Sequence, residues 1–128
     1  YGDTKSGNLA QLYAGLCYVQ KGEAQTAISY LEDYDGCGDE MVSNAALAAL
    51  GNCYAEVGEN IKGAEILVKA AKKADNNTIS PDCYLQAGQL YAAVGEKDKA
   101  MECYMTVKPK YFQSVAAQEI DKFIETVR

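Results

Sequence analysis

Apolar residues recur at helical spacing along most of the 128-residue chain. Leu9, Leu12, Leu16 and Val19 fall three or four positions apart, as do Leu47, Leu50, Tyr54 and Val57. That interval places side chains on one face of a helix, the face a globular chain buries. Near the end, Ile120, Phe123, Ile124 and Val127 mark a further apolar face against a charged one. The pattern predicts helices at about 8–21, 24–34, 42–57, 60–74, 81–94, 97–108 and 113–127. Ser80-Pro81-Asp82 supports the fifth start, with Ser80 expected as cap, Pro81 in the first turn and Asp82 near the positive helix end. Residues 33–39 and 75–79 read as connections, and nothing resembles a strand or a phosphate-cradling loop.

Three segments share one arrangement of glycine and tyrosine. They are Gly15-Leu16-Cys17-Tyr18-Val19-Gln20-Lys21-Gly22, Gly51-Asn52-Cys53-Tyr54-Ala55-Glu56-Val57-Gly58 and Gly88-Gln89-Leu90-Tyr91-Ala92-Ala93-Val94-Gly95. Glu23, Glu59 and Glu96 follow the second glycines, and five residues past each second glycine comes a small residue: Ala27, Gly63, Ala100. Four further on stands a large one: Leu31, Leu67, Tyr104. Equivalent first glycines are 36 and 37 residues apart. The second glycine suits the left-handed residue that closes a helix. The first glycine and the later small residue let two helices approach closely, with the tyrosine and the large residue filling the space beside them. Each unit is a helical hairpin that cannot bury its apolar face alone, so successive hairpins must stack.

These segments resemble the tetratricopeptide repeat family, whose unit is a helix–turn–helix with this spacing of small and aromatic positions. The resemblance covers about residues 8–110. The family's earlier aromatic is matched by Tyr84 but replaced by Gln11 and Leu47; its leucine before the first glycine appears as Leu50 but as Ala14 and Ala87 elsewhere. The proline that often ends the unit is absent, with Asp39, Asp75 and Phe112 in its place. The resemblance implies an all-α, right-handed helical-hairpin solenoid forming one domain over 1–128, with repeats at about 8–41, 44–77 and 81–110 and a capping helix at about 113–127. The opening Tyr1-Gly2-Asp3-Thr4 resembles Tyr111-Phe112-Gln113-Ser114, which follows a hairpin, so the chain is expected to be a fragment of a longer array. The pattern is also similar to bacterial cell-envelope proteins that carry such repeats behind a membrane anchor, which implies a soluble fragment of an anchored protein.

Proteins of this family bind peptides or helices in a concave groove lined by the first helix of each hairpin. Carried over by repeat register, that groove comprises Leu9, Leu12, Leu16, Val19 and Gln20, then Ala45, Ala48, Asn52, Ala55 and Glu56, then Asp82, Leu85, Gln89, Ala92 and Ala93. The family's best-known groove clamps a C-terminal carboxylate with Lys, Arg and Asn. Asn52 fits one such place but the cations are missing, so a buried carboxylate would go uncompensated. The expected occupant is instead an apolar partner segment taken up helix-in-groove. The alternative is a homo-oligomerisation module, its groove covered by a preceding helix of its own or by another copy.

Composition narrows the chemistry further. There are 12 Lys+Arg against 18 Asp+Glu, a net charge of −6, no His, and one Arg, Arg128. Without His the commonest general base and metal ligand are gone. The acidic balance disfavours a nucleic-acid partner, and no run is long enough for membrane insertion. Of the five cysteines, Cys17, Cys53, Cys83 and Cys103 fall in helical pattern and read as small core hydrophobes. Cys37 falls in a loop among acids that oppose thiolate formation, and it lacks a base. The tyrosines Tyr18, Tyr54, Tyr91 and Tyr104 read as core. The reading is a non-catalytic protein–protein interaction scaffold with no cofactor and no metal.

Overall fold

The computed structural model describes residues 5–32, 40–76, 78–111 and 114–127, and at 5–9, 40–43 and 115 the backbone only. Seven α-helices occupy it: α1 (Lys5–Gln20), α2 (Ala24–Glu32), α3 (Glu40–Glu56), α4 (Asn60–Ala74), α5 (Ser80–Ala93), α6 (Lys97–Lys110) and α7 (Val115–Thr126). Each helix packs against the next in sequence, while α1 also reaches α3 and α5 also reaches α7. This is an all-α helical-repeat solenoid, with α1–α2, α3–α4 and α5–α6 as hairpins and α7 against the last of them.

The three hairpin turns are built alike. Gly22, Gly58 and Gly95 hold φ of 78°, 90° and 85°, the left-handed region where glycine has no Cβ penalty. The N–H of each following glutamate donates to the repeat tyrosine's carbonyl: Glu23 to Tyr18, Glu59 to Tyr54 and Glu96 to Tyr91, all at 2.9 Å. Each glycine N–H reaches a carbonyl three residues back, at 3.1 Å. That pair of bonds is the Schellman arrangement, and it satisfies the last carbonyls of the first helix. The glutamate carbonyls then start the second helix, accepting from the N–H groups of Ala27, Gly63 and Ala100 at 3.0 Å.

Within each hairpin the first glycine lies beneath the large residue of the second helix. A Cβ on Gly51 would come 2.8 Å from Leu67 Cγ, and one on Gly88 would strike the Tyr104 ring. In the middle hairpin backbone meets backbone, because glycine faces glycine. A Cβ on Gly63 would lie 2.7 Å from the Gly51 carbonyl oxygen, a backbone atom that cannot swing aside.

The connection from α4 to α5 corrects one sequence expectation. Ser80 is the first residue of α5, and Ile79 takes the cap position. The orphan N–H groups of Thr78 and Ile79 are satisfied by Asn76 Oδ1, at 2.9 and 2.8 Å. Ser80 is fully buried and joins the two helices instead: its Oγ donates to the Ala71 carbonyl at 2.7 Å and accepts from Asn76 N–H at 3.0 Å. At α7 the cap is Ser114, whose Oγ accepts from Ala117 N–H at 3.1 Å and donates to the Tyr111 carbonyl at 2.7 Å. Pro109 does not end α6 at 108. The helix runs on through Pro109 to Lys110, giving up the N–H bond to the Met105 carbonyl, and Tyr111 N–H bonds to the Val107 carbonyl beyond it at 2.9 Å.

Buried apolar residues form two clusters. One gathers Leu12, Ala24, Ala27, Ile28 and Leu31 with Ala46, Leu50, Cys53 and Tyr54 of α3. The other runs from Ala64, Leu67, Ala70 and Ala71 of α4 through α5 and α6 to Ile120, Ile124 and Val127.

Candidate partner-binding surfaces

The first helices place the fifteen expected groove residues unevenly. Leu9 lies in α1, with its side chain outside the described residues. Leu12 is 4% exposed and belongs to the core with Ala46 and Leu50, because α1 reaches α3 at this point. Leu16 and Val19 are half-buried against the same cluster; Ala48, Leu85 and Ala92 are half-buried against the other, and Ala55 is half-buried too. Gln20, Ala45, Asn52, Glu56, Asp82, Gln89 and Ala93 are exposed. What faces solvent along these helices is therefore mainly amide and carboxylate, with alanines between. Asn52 and Gln89 stand at the same place in successive repeats.

A different concavity opens on the face made by the second helices. A cleft of about 280 Å³ lies between α4 and α6, with α5 beneath. It is lined by Val68 and Lys72, by Tyr84 and Tyr91, and by Lys99, Glu102, Cys103 and Thr106. Lys99 Nζ sits 5.5 Å from the centre of the Tyr91 ring, as Lys62 Nζ sits 4.5 Å from that of Tyr54. Burial, and after it the charges of Glu65, Cys103, Glu102 and Glu96, raise the Tyr91 phenol above its ordinary value, so it remains a protonated donor at neutral pH. Tyr84 is raised mainly by burial as well, and its ring packs on Tyr111 at 6.2 Å. Sequence reasoning missed this cleft. Its signal is a break in the repeat: Glu32 of the first unit corresponds to Val68 of the second.

The cysteines divide. Cys53, Cys83 and Cys103 are buried, and burial pushes the last two thiols up to about 11, against nucleophilic use. Cys17 is exposed, contrary to the core role expected of it, because no described helix covers its side of α1. Tyr18 is likewise half-exposed, stacked on Tyr30 at 5.3 Å, whereas Tyr54, Tyr91 and Tyr104 are buried. Cys37 lies outside the described residues.

At the junction of the last two hairpins, Asp75 closes α4 in a left-handed conformation, φ 45°. Its Oδ1 accepts from the Tyr111 hydroxyl at 2.8 Å and pairs with Lys110 Nζ at 3.2 Å. Those two bonds, Tyr111 first, hold its carboxyl below the usual range. Among the described residues no helix is long and apolar enough to cross a membrane.

Residues 81–108 match the family model of the tetratricopeptide repeat. Among curated proteins nothing matches the chain, and among solved structures nothing matches it either. Repeats of this family generally mediate protein–protein interaction, and the family is typically a non-enzymatic scaffold. The match falls on the third hairpin, and the turns of the other two hairpins are built to the same plan.

Proposed function

We propose that the chain is a non-catalytic scaffold that holds a segment of a partner protein along the face of α1, α3 and α5. The observation that carries this is the makeup of that face. Leu16, Val19, Leu85 and Ala92 are only half-buried, so apolar surface is left for a partner side chain to cover. The exposed amides Gln20, Asn52 and Gln89 both donate and accept, which suits the backbone of an extended or fraying segment. No lysine or arginine stands among these positions, so an apolar, uncharged segment is favoured over an acidic terminus. Leu12 supports the surface from within and makes no contact with the partner.

The test compares the full-length protein with an Asn52→Lys/Gln89→Lys variant by pull-down and mass spectrometry. Both residues are exposed, so the fold should be untouched. Loss of one defined set of captured proteins from the variant is expected; the same set bound equally by both would sink the groove. A second reading is favoured by the small residues Ala45, Ala48, Ala55, Ala92 and Ala93, which permit close helix packing. In that reading another copy covers the face. A sedimentation mass that stays monomeric across a wide concentration range would dispose of it.

A further inference from the structure

The two junctions between successive hairpins differ in what the repeat tyrosine meets. At the first, the Tyr54 hydroxyl donates to the Glu32 carboxylate of α2, and the Lys62 ammonium lies over the Tyr54 ring. In repeat register Tyr91 stands where Tyr54 stands, and Lys99 where Lys62 stands. Val68 stands where Glu32 stands, and an isopropyl group accepts no hydrogen bond. The Tyr91 side chain is 7% exposed, and its hydroxyl bonds to none of the described residues. The hydroxyl therefore has only solvent in the cleft to donate to, a place that a stronger acceptor can take. The cleft of about 280 Å³ opens at this place.

We propose that the cleft receives the side-chain carboxylate of a glutamate on a partner protein, which takes at the second junction the position Glu32 holds at the first. The first junction is the template, since it is a carboxylate on a short methylene stem, carried by a helix, that satisfies the tyrosine. The lining suits such a group. Lys72 and Lys99 line the cleft with one acid, Glu102, and Val68 offers apolar contact to the stem; Glu65 and Glu96 also act on the Tyr91 phenol, so a bound carboxylate needs both ammonium groups. The Tyr84 phenol supplies a further donor, while the Thr106 hydroxyl already donates to the Glu102 carbonyl at 2.8 Å. The site lies on the face of the second helices and does not depend on the groove of the first.

The experiment titrates the protein, with ring-labelled tyrosines, against an alanine-based helical peptide carrying one central glutamate. The same peptide with glutamine, sodium propionate and inorganic phosphate are the comparison probes, all followed by NMR. The glutamate peptide should move the Tyr91 ring signals and bind at least about tenfold more tightly than its glutamine counterpart. Tyr91→Phe removes the donor and should weaken binding about tenfold. Val68→Glu supplies an internal acceptor and should do the same by filling the cleft. Its thermal midpoint should rise, and that rise should vanish when Tyr91→Phe is added. Absence of binding at millimolar peptide, equal binding of the two peptides, or binding unchanged in Tyr91→Phe overturns the proposal. Propionate binding as tightly as the peptide assigns the cleft to free carboxylic acids, and phosphate displacing the peptide marks a general cation patch. Either result overturns the glutamate assignment.

Discussion

The first and second hairpins carry nearly the same motif, Gly15-Leu16-Cys17-Tyr18 and Gly51-Asn52-Cys53-Tyr54, in different surroundings. Cys53 and Tyr54 are 2% and 5% exposed, while Cys17 is exposed and Tyr18 half-exposed. Local conformation is not the cause, for both motifs sit in the last turns of a helix closed by the same glycine turn. The neighbour is. Helix α2 lies across α3 and covers Cys53 and Tyr54, and no described helix does that for α1. In a stacked array the burial of a residue belongs to the interface between units, not to the unit.

Site-resolved thiol labelling breaks or sharpens the contrast most directly. At pH 7, peptide mapping should show Cys17 modified at least about 100-fold faster than Cys53, whose thiol is exposed only by opening of the structure. Comparable rates would mean that α2 does not hold its place over α3. Close packing gives the next largest effect. Gly63→Ala drives a Cβ into the Gly51 carbonyl and should cost about 3 kcal/mol in urea unfolding. Gly15→Ala meets side-chain atoms, Leu31 at 2.9 Å and Tyr30 Cβ at 3.3 Å, and no backbone, and it gains alanine's helix preference, so its loss should be the smaller, about 1 kcal/mol. Equal losses at the two sites would refute the claim that backbone meets backbone in the middle hairpin.

Tyr54→Phe should cost about 1 kcal/mol by removing the donor to Glu32, whereas Tyr18→Phe should be close to neutral. The smallest effect concerns acid. Asp75 has its carboxyl lowered in the folded chain, so its contribution is present above the ordinary carboxylate range and is lost as pH falls through the lowered value. The difference in thermal midpoint between the protein and Asp75→Asn should therefore shrink below about pH 4. A difference that persists unchanged at pH 2 would separate Asp75 from Tyr111 and Lys110.

What the sequence discloses follows the range of the interaction. The turn glycines and the Gly51–Leu67 and Gly88–Tyr104 pairs involve residues within one hairpin, so their spacing is written locally and the helices fall within a few residues of expectation. Exposure of Cys17 and burial of Leu12 depend on which helix lies alongside, which no local pattern encodes. Ser80 looked like a cap because serine before proline usually is one. The helix starts one residue earlier: Cys83 N–H bonds to the Ile79 carbonyl, so Ser80 is inside α5 and its hydroxyl joins α4 and α5. The groove positions were placed by register, but register does not tell how deeply each sinks. The cleft at Tyr91 was hidden for a related reason: it arises from what Val68 fails to supply to a residue 23 positions later.

The turn glycines Gly22, Gly58 and Gly95 have a consequence for the alphabet from which proteins are made. A Cβ at any of the three would meet nothing within 4 Å, so no crowding demands glycine there. Only handedness does, and among encoded residues glycine alone is achiral. A D-alanine introduced by chemical synthesis would match the positive φ without strain. It would also narrow the unfolded ensemble, adding roughly 0.4–1 kcal/mol at each turn. At these three sites the chain is less stable than its own backbone permits, because the mirror-image residue that would fit best is not available to translation.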